Sequence, residues 1–135
     1  MRAAAVRGAI VGCRREDGKW LLIRRSSQVW SPRKLCFPGG TIEPGEDPAA
    51  AALREMREEL AAEVELIDCV WRHRYRTDID VELYGWLATL RSERLVPEPS
   101  EVEEILWLPT AEIYGRSDAI QPGTGLFMKA LESAR

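Results

Sequence analysis

The chain is 135 residues long, carries a formal net charge of −3, and consists of 45% hydrophobic and 30% charged residues. This length and composition predict one globular domain with a hydrophobic core, and the lack of a strong positive charge argues against binding to duplex DNA. The sequence has no apolar run near the roughly 20 residues that a membrane span requires, so we expect no membrane partner.

The first third of the chain predicts short strands linked by tight turns. Small and β-branched residues precede the turn signal Asp17-Gly18 and an apolar run follows it, so the two segments are expected to form a β-hairpin. Further along, Pro38-Gly39-Gly40 permits backbone conformations that other residues resist and lets a ligand approach the main chain closely. The predicted strands span residues 3–12, 19–25 and 41–43, with a polar loop at 26–34 and with residues 35–37 leading into the glycines.

A helix is predicted to begin directly after this region. Glu46 or Asp47 can cap it, and Pro48 suits the first helical position, where a missing N–H does no harm. Apolar residues recur at helical spacing and are expected to pack on a sheet, while charged residues take the other side. The expected inward residues are Ala49, Leu53, Met56 and Leu60, and the expected outward residues are Arg54, Glu55, Glu58 and Glu59.

The second half of the chain predicts three more strands and a C-terminal helix. The strand at 80–90 is apolar on both faces, which is typical of a central strand. Together the elements predict an α/β fold with a mixed sheet between helices. The predicted elements are strands at 63–76, 80–90 and 104–108, a loop at 92–100, a helical turn at 109–114 and a helix at 123–133, with Leu126, Phe127, Ala130 and Leu131 facing inward.

Three carboxylates in the first helix indicate a cation site. Glu55, Glu58 and Glu59 are spaced i, i+3 and i+4, which stacks them on nearly one face. Their mutual repulsion, and their position near the helix C-terminus, would be offset by a bound cation. Oxygen-only ligation favours Mg²⁺ or Mn²⁺. The alternative is a solvated acidic face, an interpretation that we prefer for Glu63 and Glu65.

The same stretch resembles the signature of the Nudix hydrolases, which reads G, five residues, E, seven residues, REUxEExGU, with U an aliphatic residue. The matching positions are Gly40, Glu46, Arg54, Glu55, Met56, Glu58 and Glu59, within a box at 40–62. The resemblance implies a single Nudix domain over residues 1–135 with an α/β/α sandwich. It also implies Mg²⁺-dependent pyrophosphohydrolysis of a nucleoside diphosphate linked to another group, X, with Mn²⁺ as a substitute ion.

The end of the box departs from the family pattern. Ala61 stands where the family has glycine, and Ala62 stands where it has a larger aliphatic residue. Alanine in the left-handed conformation that such a glycine adopts would cost about 1 kcal/mol. We therefore expect the helix to end later or differently.

The resemblance also assigns roles to individual residues. It implies metal binding by Glu55, Glu58, Glu59 and the carbonyl of Gly39, with Glu55 as the preferred general base. Arg54 would hold the carboxylates in place, with Glu46 as its structural partner. One further acid often joins such sites; the candidates are Glu101, Glu103 and Glu104, of which at least two are expected to be surface acids.

Within the family, the segment from Arg24 to Gly40 is most similar to the MutT subgroup, whose substrate is 8-oxo-dGTP. The similarity implies substrate contacts through Arg25 to phosphate, Phe37 to the base, and Gly40. The alternatives are a solvated strand end for Arg25 and a core residue for Phe37. MutT recognises the base of its substrate with an asparagine shortly before a proline. Here Gln121 could supply the amide, but its side chain is longer and would hold the amide at a different distance from the backbone. A preference for oxidised guanine is therefore an open question.

Two other functions remain as alternatives. The altered Ala61-Ala62 end would suit a nucleotide-sensing or binding module without turnover. Arg72, Arg74 and Arg76 alternate along one strand and could steer the 5′ end of an RNA for pyrophosphohydrolysis. We favour a solvent-facing edge strand for these arginines.

The cysteines indicate the redox environment in which the protein is expected to work. Cys13, Cys36 and Cys69 are odd in number and widely spaced, so reduced thiols in a cytoplasmic protein are expected rather than disulfides or a zinc site. The expected partner is a nucleotide or a small molecule linked to a nucleoside diphosphate, bound by a monomer or a homodimer.

Overall fold

The computed structural model describes residues 6–76 and 79–134. Residues 3–5 of the predicted first strand lie outside the described part. Within it, no helix is long and apolar enough to cross a bilayer. The elements are strands β1 (Val6–Cys13), β2 (Trp20–Arg25), β3 (Leu35–Cys36), β4 (Gly39–Thr41), β5 (Val64–Arg76), β6 (Asp80–Leu90) and β7 (Val102–Leu108), and helices α1 (Pro48–Leu60), α2 (Thr110–Ile113) and α3 (Gly123–Ser133).

The described strands form two sheets rather than one. The first is mixed and has the order β4-β1-β6-β5, with β1 and β6 parallel. The second is antiparallel and has the order β3-β2-β7. The predicted hairpin between β1 and β2 is therefore wrong: a turn and one bridge, Arg14 to Trp20, join the strands before they diverge into different sheets. The turn signal is local, whereas both strands bury their faces by pairing with strands distant in sequence.

Two hydrophobic cores place the helices on opposite sides of the sheets. Helix α1 contributes Met56 and Leu60 to one core, and helix α3 contributes Phe127 and Leu131 to the other. Side chains of both sheets enter both cores. The predicted α/β/α sandwich is confirmed, and its middle layer consists of two sheets.

Helix α3 packs with a different face from the one predicted. Phe127 and Leu131 are buried as expected, but Leu126 is 40% exposed, and Thr124 and Met128 are buried in its place. The inward face therefore follows the spacing 124, 127, 128 and 131, one regular helical stripe. The predicted choice of Leu126 was wrong because the hydrophobicity of one residue does not show which side of the helix meets the sheet.

Strand β6 is central and strand β5 lies at an edge, as predicted. Arg72 and Arg74 are exposed there, and both pair with carboxylates of β6. Arg72 Nη2 lies 3.5 Å from Glu82 Oε2, and Arg74 Nε donates to Asp80 Oδ1 at 2.9 Å. The arginine stripe is thus neutralised in part by its neighbouring strand.

Candidate active site

The site forms where strand β4 passes the middle of helix α1. Asp47 caps this helix, because its Oδ2 accepts hydrogen bonds from Ala49 N and Ala50 N at 3.1 and 3.3 Å. Pro48 occupies the first helical position, as predicted. The cap and the proline fix where the helix starts, and thereby which of its turns faces Gly39 and the rest of β4.

Arg54 is the hub of an ion-pair network at this point. Its Nε and Nη2 donate to the two oxygens of Glu46 at 2.8 and 2.9 Å, a bidentate pair. Its Nη1 donates to Glu55 Oε1 and to Glu58 Oε2, both at 3.0 Å, and its Nη2 also donates to the carbonyl of Thr41 at 2.9 Å. The guanidinium lowers the pKa of Glu46 to about 2. Arg54 thus ties strand, loop and helix carboxylates together.

Glu55 and Glu59 are buried carboxylates, with 9% and 5% of their surfaces exposed. Glu59 Oε1 accepts the backbone N–H of Gly39 at 2.8 Å. Burial raises the pKa of Glu59 to about 8, and burial is also the main cause of the raised pKa of Glu55. The prediction that both face away from the core is corrected here: Ala51, Ala52 and these glutamates are all buried.

Glu58 lies in a different environment from the other two glutamates. Its side chain is 54% exposed, and among the described residues it forms an ion pair with Arg54. The i+3 position turns away from the row that Glu55 and Glu59 form at i and i+4. The three carboxylates therefore comprise a buried pair and one exposed member that Arg54 connects to them.

Two of the three later acids lie on the surface with arginine partners. Glu103 lies 3.3 Å from Arg33, and Glu104 lies 3.7 Å from Arg24. Arg24 also donates to Asp118 at 3.2 Å. Both glutamates therefore act as surface acids, as the sequence predicted for two of the three.

Glu101 is the later acid that approaches the buried pair. Its negative charge contributes to the raised pKa of both Glu55 and Glu59. Its carbonyl accepts the N–H of Ser26 at 2.9 Å, and Ser26 Oγ donates to the carbonyl of Ser100 at 2.7 Å. The loop before β7 is thus anchored on the end of β2, which brings the charge of Glu101 within electrostatic reach of the carboxylates.

Helix α1 ends at Leu60, and Ala61 adopts the left-handed conformation with φ 52° and ψ 34°. The expectation of a later or different end is therefore wrong. Ala62 is 1% exposed and belongs to the core, and Val96 N–H and Glu98 N–H donate to the carbonyls of Leu60 and Glu59 at 2.8 Å. Burial and these bonds offset the cost of a left-handed alanine.

We therefore expect Ala61→Gly to raise the free energy of unfolding by about 0.5–1 kcal/mol, because glycine adopts this conformation without strain. Denaturant unfolding followed by circular dichroism measures the change. Ala50→Gly, at an exposed position in the same helix, serves as the matched control and should lower stability by a similar amount. A lower midpoint for Ala61→Gly would contradict this account of the helix end.

A cavity of about 480 Å³ opens beside the carboxylates. Gly39, Gly40 and Thr41 form its border with the site, so a ligand in the cavity can reach the helix residues across the β4 backbone. Its lining is predominantly apolar, as in many small-molecule sites. Side chains in its wall include Trp30, Phe37, Trp71, Tyr75, Ile120 and Thr124.

The predicted substrate contacts are distributed unequally around this cavity. Arg25 lines it, and its charge lowers the pKa of Glu59 as a minor contribution. Phe37 is 3% exposed, so it is a core residue that also forms part of the wall. Gln121 borders a neighbouring surface depression instead, and its Oε1 accepts Gly125 N–H at 3.0 Å. Ile120 supplies the cavity wall at this point.

Three residues of the cavity wall were not predicted from the sequence, namely Trp30, Trp71 and Tyr75. A signal for Trp30 was present, namely a lone tryptophan in a polar loop directly after Arg25. Trp71 and Tyr75 carried no such signal, because alternation along β5 predicts only that they share a face. Their approach to β4 and α3 depends on tertiary packing.

The donor set fits a hard divalent cation. All side-chain candidates are carboxylates, and two of them, Glu55 and Glu59, are buried. Arg54 forms an ion pair with Glu55, whereas Glu59 accepts the N–H of Gly39. In residues 6–76 and 79–134, no group of three acidic, histidine or cysteine side chains already converges as a formed metal shell. Glu58 in particular is held by Arg54, so metal binding would require its side chain to turn.

Two curated proteins are similar to this chain in sequence. Nudix hydrolase 3 of Caenorhabditis elegans is 35% identical over 101 residues, which are 69% of this chain and 42% of that protein. The 8-oxo-dGTP diphosphatase of Escherichia coli is 33% identical over 87 residues, 64% of each chain. The chain therefore matches less than two thirds of the length of these curated relatives.

A solved structure supports the fold over the whole chain. The MutT protein from Methanosarcina mazei superimposes with a TM-score of 0.86 at 19% identity, covering 100% of this chain and 99% of that one. The NUDIX domain model matches residues 4–131. Because this match covers most of the chain, the chain belongs to the Nudix family.

Proposed function

We propose that this protein is a divalent-metal-dependent pyrophosphohydrolase that cleaves nucleoside triphosphates to the monophosphate and pyrophosphate. The observation that carries the proposal is that Gly39 and Gly40 line a nucleotide-sized apolar cavity and also contact the buried pair: Gly39 N–H donates to Glu59, and Gly40 lies against Glu55. A base fits the cavity, and the phosphates would then lie along Gly39 and Gly40, beside the carboxylates.

The side chains divide the work between binding and proton transfer. Glu55, Glu58, Glu59 and the carbonyl of Gly39 would hold Mg²⁺ or Mn²⁺. The ion, when bound, neutralises phosphate charge and acidifies water. Burial raises the pKa of Glu55, which makes this carboxylate a better proton acceptor for the attacking water. Glu101 is close enough to influence the same proton electrostatically.

Arg54 acts on the carboxylates rather than on the substrate. Its pair with Glu46 anchors it to the loop before the helix, so that its Nη1 is aimed at Glu55 and Glu58. Arg25 lines the cavity, as Arg7 also does, and in this proposal Arg25 contacts a phosphate. Arg54 and Arg25 thus serve opposite ends of the site.

The base-reading amide proposed from the sequence does not border the cavity. Gln121 accepts the N–H of Gly125 in the first turn of α3, and Ile120 occupies the wall. An isoleucine offers no hydrogen bond to an oxidised base edge. We therefore propose nucleoside triphosphates as the substrate class, without a preference for 8-oxo-dGTP that depends on Gln121.

A hydrolysis panel tests the proposal. Purified protein with Mg²⁺ or Mn²⁺ is incubated with 8-oxo-dGTP, the normal dNTPs, ADP-ribose, dinucleoside polyphosphates and coenzyme A, and products are separated by chromatography. Monophosphate and pyrophosphate from a triphosphate are the expected products. If only ADP-ribose or coenzyme A is hydrolysed, the proposed substrate class is wrong. If no compound is hydrolysed, the proposed hydrolase activity is wrong.

Glu58→Gln separates a hydrolase from a binding module. Because Glu58 is exposed, its replacement should leave the fold intact while reducing hydrolysis at least about 100-fold. Glu65→Gln, an exposed carboxylate paired with Arg91, is the control and should retain full activity. If Glu58→Gln releases product at the same rate as the parent protein, the proposed metal-dependent hydrolysis is wrong.

The surroundings favour small nucleotides over RNA. Arg72 and Arg74 form ion pairs with Glu82 and Asp80, which weakens their electrostatic attraction for a polyanion such as RNA.

Cys13, Cys36 and Cys69 are free thiols, in keeping with the cytoplasmic location that we propose. The proposed partner is a free nucleotide, bound by a monomer or a homodimer and without duplex DNA or membrane.

A further inference from the structure

Four aromatic rings line the cavity, and three of them are already engaged by other rings of the protein. Trp71 stacks on His73 and on Phe127, with ring centroids 5.2 and 5.6 Å away and interplanar angles of 8° and 29°. Its indole is thereby held in the packing between β5 and α3. It can border a ligand, but its stacking capacity is largely used within the protein.

Phe37 and Tyr75 are engaged in the same way. Phe37 packs edge to face against Phe127 at 4.9 Å, and Tyr75 packs edge to face against His73 at 4.4 Å. Phe37 is also buried in the core. These rings shape the cavity wall, and their orientation is determined by contacts that exist without a ligand.

Trp30 is the exception. It is 77% exposed, the highest value among the exposed large apolar residues of the described chain, although it borders the cavity. Its ring contact within the described residues is the guanidinium of Arg25, 5.9 Å from the ring centroid. A tryptophan left in water keeps a large apolar area unburied, which a planar ligand could cover.

The loop that carries Trp30 is held in a defined conformation. Arg25 Nε donates to the carbonyl of Trp30 at 2.6 Å, and Arg33 N–H donates to the carbonyl of Arg25 at 3.0 Å. Ser31 and Arg33 both adopt positive φ, at 51° and 60°, which costs free energy for residues with a side chain. These bonds present the indole at the mouth of the cavity next to the arginine proposed to contact phosphate.

We propose that Trp30 stacks on the planar base of the bound nucleotide and closes the open side of the cavity. The inference rests on the proposed function and deepens it. Every nucleobase has a π-face, so Trp30 selects for the presence of a base rather than for one base. Tyr75, which also lines the cavity, would then lie near the edge of the base.

Substitution of Trp30 tests the proposal through the split between KM and kcat. Trp30→Ala should raise KM for the preferred triphosphate by about 5- to 100-fold, the range for loss of one base–aromatic stack, with kcat changed by less than about threefold. Trp30→Phe should restore most of the affinity. Ile67→Ala, which removes an exposed apolar side chain on β5, is the control and should match the parent protein.

A binding measurement makes the test independent of turnover. Calorimetric titration with a nucleoside monophosphate, without added metal, should show the same loss in Trp30→Ala, whereas inorganic tripolyphosphate should bind parent and variant alike. An equal KM and equal monophosphate affinity in Trp30→Ala overturn the stacking role and leave the hydrolase standing. If the parent protein binds the monophosphate but hydrolyses no triphosphate, the proposed hydrolase activity is wrong. The titration of Trp30→Ala then still shows whether Trp30 stacks on the base. A change in oligomeric state with unchanged affinity overturns the proposal.

Discussion

Glu59→Gln is expected to abolish hydrolysis and, in the metal-free protein, to increase stability at pH 8. The carboxyl is 5% exposed and burial raises its pKa to about 8 in the folded state. A group whose pKa is raised by folding holds more protons in the folded protein, so stability falls as pH rises from the ordinary carboxyl range toward 8. Glutamine carries no charge at either pH, and its oxygen can still accept the N–H of Gly39.

Denaturant unfolding after treatment with a chelator, at pH 5 and pH 8, measures this effect. With about 1.4 kcal/mol per unit of pKa shift, we expect the parent to lose about 1–4 kcal/mol between these values and Glu59→Gln to lose much less. Glu65→Gln, at an exposed site, should behave as the parent. Equal pH dependence in parent and Glu59→Gln would show that the buried charge does not exist as described, and retained hydrolysis would remove Glu59 from the site.

Gly40→Ala is expected to reduce hydrolysis at least about 100-fold with a small change in stability. A Cβ atom on Gly40 would lie 2.4 Å from Glu55 Cδ and 2.5 Å from Glu55 Oε2. Glu55 cannot withdraw cheaply, because it is buried and bonded to Arg54. Gly40 does not adopt a positive φ, so the backbone accepts alanine and the collision alone moves the carboxylate.

Comparison of activity with thermal unfolding measures this prediction. Gly125→Ala provides the control, since its Cβ would meet only the end of the Gln121 side chain, at 3.2 Å. It should keep full activity. Gly40→Ala with full activity would show that the position of Glu55 is not critical, and a collapse of the unfolding temperature would assign the glycine to folding rather than to the site.

The site residues fall into two groups according to how far they could be predicted. Glu46, Arg54, Glu55 and Glu58 lie within thirteen positions of one another, so closeness in sequence brings them together, helped by the i,i+4 spacing of Arg54 and Glu58. The choice of Glu101 over its two neighbours, and of Ile120 over Gln121, could not be predicted. Each depends on how a loop docks against elements far away in sequence.

The features that could be predicted from the residues are those that local interactions control. The cap and first turn of α1 and the family signature are properties of short segments, and they agree with the structure and with the family match. Only long-range packing settles which sheet each strand joins, that Glu55 and Glu59 are buried while Glu58 is exposed, and that the exposed ring of Trp30 lies at the cavity mouth. Pairing, burial and cavity walls depend on contacts between distant segments, for which residue spacing carries no information.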